Sequence, residues 1–276
     1  MLLLSALQAP GTVAGLVAEW NPAWTDASEP PLTTPTALRE GICDGVRWHG
    51  PFRLTPMFRA DAGLPTTGPA ALLGLAYVAE VRRERAKIGD SRHADRFRSR
   101  YPHGVPTGAE ADAWHLVRGL AKRLRGVARL PEGPVHAPHH DPPLPGDTDH
   151  TVYSHEMLPW MVLREILGRV APGLAREVVP DSGGYILRHR DLIEIRIRPA
   201  VTTRLPHALR DRADGAWPRT VYEFCDLSAP TAGAPPGSTP AAAAVRAAAT
   251  LVAEVTGGVL VDADGFPVET RTFTAS

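Results

Sequence analysis

Residues 183–268 constrain the fold of this chain more than any other stretch, because they hold an unbroken two-residue alternation and then a helical period. Ile193, Ile195 and Ile197 fall on one face of an extended chain, and Glu194, Arg196 and Arg198 fall on the other. That period of two predicts a half-buried antiparallel strand. The apolar run Tyr185-Ile186-Leu187, across a polar turn at His189-Arg190-Asp191, predicts its hairpin partner, and Pro199 ends the strand because proline cannot donate to a ladder. Residues 220–227, rich in β-branched and aromatic side chains, predict a third strand. Residues 228–240 are dense in Pro, Gly, Ala, Ser and Thr and read as a surface linker.

The alanine-rich run 240–256 then reads as a helix with Val245, Ala249 and Val252 on one face, capped by the left-handed pair Gly257-Gly258. Val259-Leu260-Val261 and Phe266-Pro267-Val268 close a hairpin around Asp262-Ala263-Asp264-Gly265. Those two aspartates lack the later acidic positions of a calcium loop, so the turn reading stands. The block predicts an α+β class, with antiparallel sheet packed against helices.

The first half is less regular. Residues 1–7 read as a strand rather than a secretion signal, since no positive segment precedes the apolar run and Gln8, Pro10 and Gly11 interrupt it. Residues 12–20 read as a short helix, and residues 45–50 and 52–54 as two short strands. The Ala- and Leu-rich run 69–87 predicts a helix with a basic end. Residues 107–125 predict another, with Ala113, Val117, Leu120 and Leu124 inward and His115, Arg118, Lys122 and Arg125 outward. Gly126 reads as its cap, Val127 to Leu130 as a strand and Pro131-Glu132-Gly133 as a turn. Setting Gly126 on Gly258 puts Val127 on Val259, Glu132 on Asp264 and Gly133 on Gly265, which points to a repeated plan. The expected organisation is therefore an α+β half over 1–135, a Pro- and His-rich connection over 136–154 and a second α+β half over 155–276, where Ser154 caps a helix with Trp160, Leu163, Leu167 and Val170 inward.

Composition limits what the chain does. Its 276 residues are 43% hydrophobic with a formal net charge of zero, which disfavours a surface built throughout for nucleic acid or an anionic membrane. Two lysines stand against 28 arginines, beside 28 prolines, a usage expected of a G+C-rich bacterial coding sequence. Clusters of arginine, proline and histidine carry less weight in such a chain. Two distant cysteines, Cys43 and Cys225, form no disulfide framework and agree with a reduced, cytoplasmic setting.

Three readings of function follow. The leading one is a non-enzymatic binding protein, of accessory or immunity type, without a cofactor and with another protein as partner. A second uses His136, His139, His140, His150 and His155 as ligands of a divalent metal such as zinc in a hydrolase, although Pro134, Pro138, Pro142, Pro143 and Pro145 prevent helical ligand spacing. A third uses Arg82, Arg83, Arg85, Arg96, Arg118 and Lys122 as a phosphoanion or nucleic-acid site, with no recognised nucleic-acid motif beside them. No G-x-S-x-G, S-x-x-K or glycine-rich phosphate loop is present. Trp48, Trp114, Trp160 and Trp217 read as core.

Overall fold

A computed structural model describes residues 1–24, 38–43, 45–89, 94–139, 148–178, 184–189, 192–200, 205–210, 217–228 and 239–270, with backbone alone for 38–43, 176–178, Pro69 and Arg96. Of the linker read at 228–240, residues 229–238 lie outside them. The chain divides into two compact units, Met1–Asp141 and Pro142–Ser276.

The first unit runs β1 (Leu2–Leu4), α1 (Pro10–Trp20), β2 (Leu38–Cys43), β3 (Val46–Arg53), α2 (Pro56–Asp61), a short 3-10 turn, β4 (Leu75–Val81), β5 (Arg85–Ala86), α3 (Ala94–Arg100), β6 (Val105–Pro106), α4 (Gly108–Arg123), β7 (Val127–Arg129) and β8 (Val135–His136). Its antiparallel sheet has the order β2-β3-β4-β1-β7-β8. The second unit runs β9 (His150–Ser154), α5 (Trp160–Leu167), β10 (Ala175–Val178), β11 (Tyr185–His189), β12 (Ile193–Pro199), α6 (His207–Arg210), β13 (Thr220–Asp226), α7 (Pro240–Thr256) and β14 (Val259–Asp262). Its antiparallel sheet has the order β10-β11-β12-β13-β9-β14. Both units are α+β, as the alternation of residues 193–198 predicts.

The two units share one plan. In each, the first strand lies between the last strand of a meander and the strand that follows the long helix. Register makes the match residue by residue: Leu3 faces Ala76 on one side and Val127 on the other, just as Tyr153 faces Val221 and Val259. Tyr77 thereby matches Tyr222. At the helix exits, Gly126 N donates to Ala121 O and Gly258 N donates to Ala253 O, both at 2.9 Å. Counting back along α4 and α7 from those glycines pairs Ala113, Leu116, Val117, Leu120 and Ala121 with Val245, Ala248, Ala249, Val252 and Ala253, and every one of the ten is buried. The repeat seen in sequence at Gly126 and Gly258 thus extends through both sheets and both long helices.

Packing follows the pattern. Ile193, Ile195, Ile197, Tyr222 and Phe224 meet Leu163, Leu167, Val245 and Val252 in one core. The opposite face of each sheet is partly covered by the segment between the matched strands, α2 and the 3-10 turn over Leu3 and Ala76, and the α6 segment with Trp217 over Tyr153 and Val221. Apolar burial of this kind supplies the main stabilisation of both units.

Four expectations are corrected. Residues 69–87 form no long helix; only a 3-10 turn precedes β4, whose residues 75–77 pair with β1 and whose length pairs with β3. The two short strands read at 45–50 and 52–54 are one strand, β3 (Val46–Arg53), with an irregularity between His49 and Phe52. Ser154 ends β9 and accepts from Glu156 N at 3.0 Å, while Pro159 occupies the helix cap position. The segment read as a connection supplies strand at both ends, β8 and β9.

The cap after α4 is also displaced by one residue. Arg125 takes the left-handed position (φ 50°) that Gly257 takes after α7 (φ 59°). A residue with a Cβ is strained there, so Arg125→Gly is expected to stabilise the chain by about 0.5–1 kcal/mol after the added unfolded-state entropy is subtracted. Equilibrium denaturant unfolding of the two proteins side by side reads the difference.

Candidate functional site

Among the described residues the predicted histidines fall in no group of three or more side chains that could hold a metal. His136 belongs to β8, is buried, and sets its ring edge-on to Trp114 at 5.4 Å. His139 is half-buried, and His140 lies outside the described residues. In the second unit, His150 starts β9 and His155 follows its end, which separates them by about 15 Å of extended chain. The His155 ring packs against Trp217 at 6.2 Å.

Two members of the basic cluster, Arg83 and Arg85, are held by carboxylates. Arg82 and Lys122 are exposed, and Arg83 reaches Glu132 at 3.3 Å. Arg118 is half-buried and engaged in contacts of its own, and of Arg96 only the backbone, in α3, is described. Arg85 is a structural residue rather than an anion ligand. Its Nε donates to both Glu110 carboxylate oxygens at 2.8 Å and its Nη2 to Oε1, while Nη1 donates to Gly104 O at 3.3 Å. A guanidinium fully occupied by a buried carboxylate has no fork left for a ligand.

The outer face of the second sheet carries charges that answer one another. Arg188 Nε donates to Glu194 at 2.8 Å and Arg196 Nε at 2.5 Å, and Arg198 donates to Glu223 at 2.6 Å. Burial works to raise the Glu194 pKa, but the hydrogen bonds from Arg188 and Arg196 hold it below its ordinary value. Cys225 lies beside them, fully buried, and desolvation pushes its thiol up to about 11 against the pull of Arg196. It is no nucleophile at neutral pH.

Exposed apolar side chains are grouped at α5. The helix α5 reads Trp-Met-Val-Leu-Arg-Glu-Ile-Leu, and of its six apolar residues only Leu163 and Leu167 are buried. Met161 is 67% exposed, Val162 38%, and Met157 just before the helix 40%. A surface helix ordinarily turns polar residues outward. The loop that presents Met157 is pinned from below: Tyr222 Oη accepts from Leu158 N at 2.7 Å and donates to Glu156 O at 2.9 Å, and Tyr185 Oη donates to Leu158 O at 3.0 Å. Burial pushes the Tyr222 phenol up to about 12, so this clamp stays protonated across the neutral range.

The first unit provides an internal control for that face. Both helices start six residues after their strands end, so Val13 and Val17 match Leu163 and Leu167, and all four are buried. The outward positions differ. Gly11 and Thr12 stand where the second unit has Met161 and Val162, and among large apolar residues only the position of Leu7 and Met157 is exposed in both. The shared fold does not require large apolar side chains at 161 and 162.

A cleft of about 440 Å³ adjoins the same helix, lined by residues that include Trp160, Arg164, Gly168, Ala171 and Leu174. Trp160, read from sequence as core, is only partly buried and forms one wall of it. The sequence signal for this surface was the excess of apolar residues over what one inward stripe consumes. Compared with family models, with curated proteins and with solved structures, the chain matches none.

Proposed function

We propose that this chain is a non-catalytic binding protein that recognises another protein through the outward face of α5. One observation carries the reading: Met161 and Val162 are large, apolar and exposed at positions where the matched helix α1 has Gly11 and Thr12. Exposed apolar side chains cost solubility and contribute nothing to this fold, so a partner surface is what accounts for them. Methionine suits such a role because its flexible thioether adapts to irregular partners. The clamp by Tyr222 and Tyr185 supports the reading further, since a rigid loop loses little entropy when Met157 is covered.

The test is photocrosslinking in the organism's own cells, with a benzophenone side chain placed at 161 in one protein and at 12 in another. A discrete protein adduct from 161, absent from 12, is expected. Adducts of equal yield from both positions, or none from 161, would remove the proposal.

A further inference from the structure

We infer that the cleft beside α5 takes a peptide segment of the partner in which an apolar side chain stands next to a carboxylate. This inference rests on α5 being the binding face and adds the chemistry of what it binds. Four features of the cleft support it. Its walls are apolar, with Trp160 and Leu174 packed onto the core of the second unit. Its lining is otherwise small, with Gly168, Ala171 and Gly173 leaving backbone where side chains would fill the space. A volume of about 440 Å³ falls in the range of small-ligand pockets, room for a few side chains rather than a folded surface.

The fourth feature is charge. Arg164 is the one charged residue in the lining, it is exposed, and among the described residues it meets no carboxylate. The arginines of the outer sheet face behave differently: Arg188, Arg196 and Arg198 each hold a glutamate. Arg164 also lies three residues beyond Met161, on the same side of the helix, so a ligand covering Met161 brings its next side chains to the guanidinium. A carboxylate there gains a paired, partly desolvated contact, while a basic residue is repelled. A phosphodiester would satisfy Arg164 but would leave Met157, Met161 and Val162 against a charged backbone, so a peptide is the favoured class.

The experiment selects phage-displayed random peptides of about twelve residues on the immobilised full chain and measures the synthesised winners by fluorescence polarisation. Enriched sequences are expected to carry Asp or Glu within a turn of Leu, Ile, Phe or Met. Arg164→Glu should weaken them at least about tenfold and Arg164→Gln less, with affinity falling as salt rises from about 50 to about 500 mM. Unchanged thermal melting shows that each variant is folded. Winners without acidic residues that are still lost in the Met161→Ser/Val162→Thr double variant would overturn the carboxylate and leave α5 as the binding face. No enrichment, or winners indifferent to both variants, would overturn both. Displacement of the winners by oligo-dT would replace the peptide with a nucleic acid. Self-association abolished by the double variant, without peptide binding, would make a second copy of the chain the occupant.

Discussion

Glu110→Gln is expected to remove about 3–5 kcal/mol from the first unit, the cost of breaking a buried ion pair by deleting one partner. Glu110 is 3% exposed near the start of α4, and its carboxylate receives Arg85 and also Glu84 N at 2.8 Å. The glutamine keeps the shape but leaves the Arg85 guanidinium buried without a countercharge. Arg85 belongs to β5, which pairs with β6, so the contact fastens the 82–107 excursion onto α4. The double variant Arg85→Met/Glu110→Leu should regain most of the loss, because an apolar pair needs no charge compensation. Hydrogen exchange of the α4 amides, followed in all three proteins, reads the unit in which the pair lies. If Glu110→Gln protected those amides as well as the parent does, the pair would be neutral and the fastening would lie elsewhere.

That pair also shows why only part of the architecture was legible in sequence. At the position matching Glu110 the second unit has Ala242, so the ion pair belongs to one copy of a shared plan. The helix at Pro240–Thr256 was readable because its alanines have no competing preference and Gly257 ends it unmistakably. Leu75–Val81 was misread because Leu, Ala and Val alternate there too weakly to oppose helix propensity, and pairing with β1 and β3 decided the outcome. Gly74 carries the contrary signal: a Cβ there would sit 2.6 Å from that of Ala6, a mark of close backbone approach rather than of a helix interior.

The candidate surface was legible in composition but not in exposure. Trp160, Leu163, Leu167 and Val170 form a proper inward stripe, and only the covering supplied by α7 decides that Leu163 and Leu167 fill it while Trp160 borders a cleft. The histidine and arginine clusters are groupings along the chain, and sequence alone does not show where strands carry their members. Residues close in sequence are dispersed by strands, which carry His150 and His155 to opposite ends of β9 and turn Arg85 inward. The repeat was visible only where glycines mark it, since the matched helix positions share burial and rarely identity.

Those glycines support the second large effect. A Cβ on Gly126 would press on Leu3 O closer than any real Cβ atom comes and would lie 2.6 Å from Leu4 Cδ2; on Gly258 it would lie 2.8 Å from Tyr153 O. Both carbonyls belong to the central strands β1 and β9, which are paired on both sides and cannot give way. Gly126→Ala and Gly258→Ala are each expected to cost about 3 kcal/mol, the upper part of the range for overpacking. Gly257→Ala meets nothing within 4 Å and suffers only the strain of its left-handed backbone, about 1 kcal/mol. Denaturant unfolding of the three variants therefore tests the match between the units directly. Similar losses at 126 and 258, with a smaller one at 257, mean that both long helices leave through the same close contact with a central strand. A neutral Gly126→Ala would mean that the first unit adjusts where the second cannot, and the two exits would be alike in outline only.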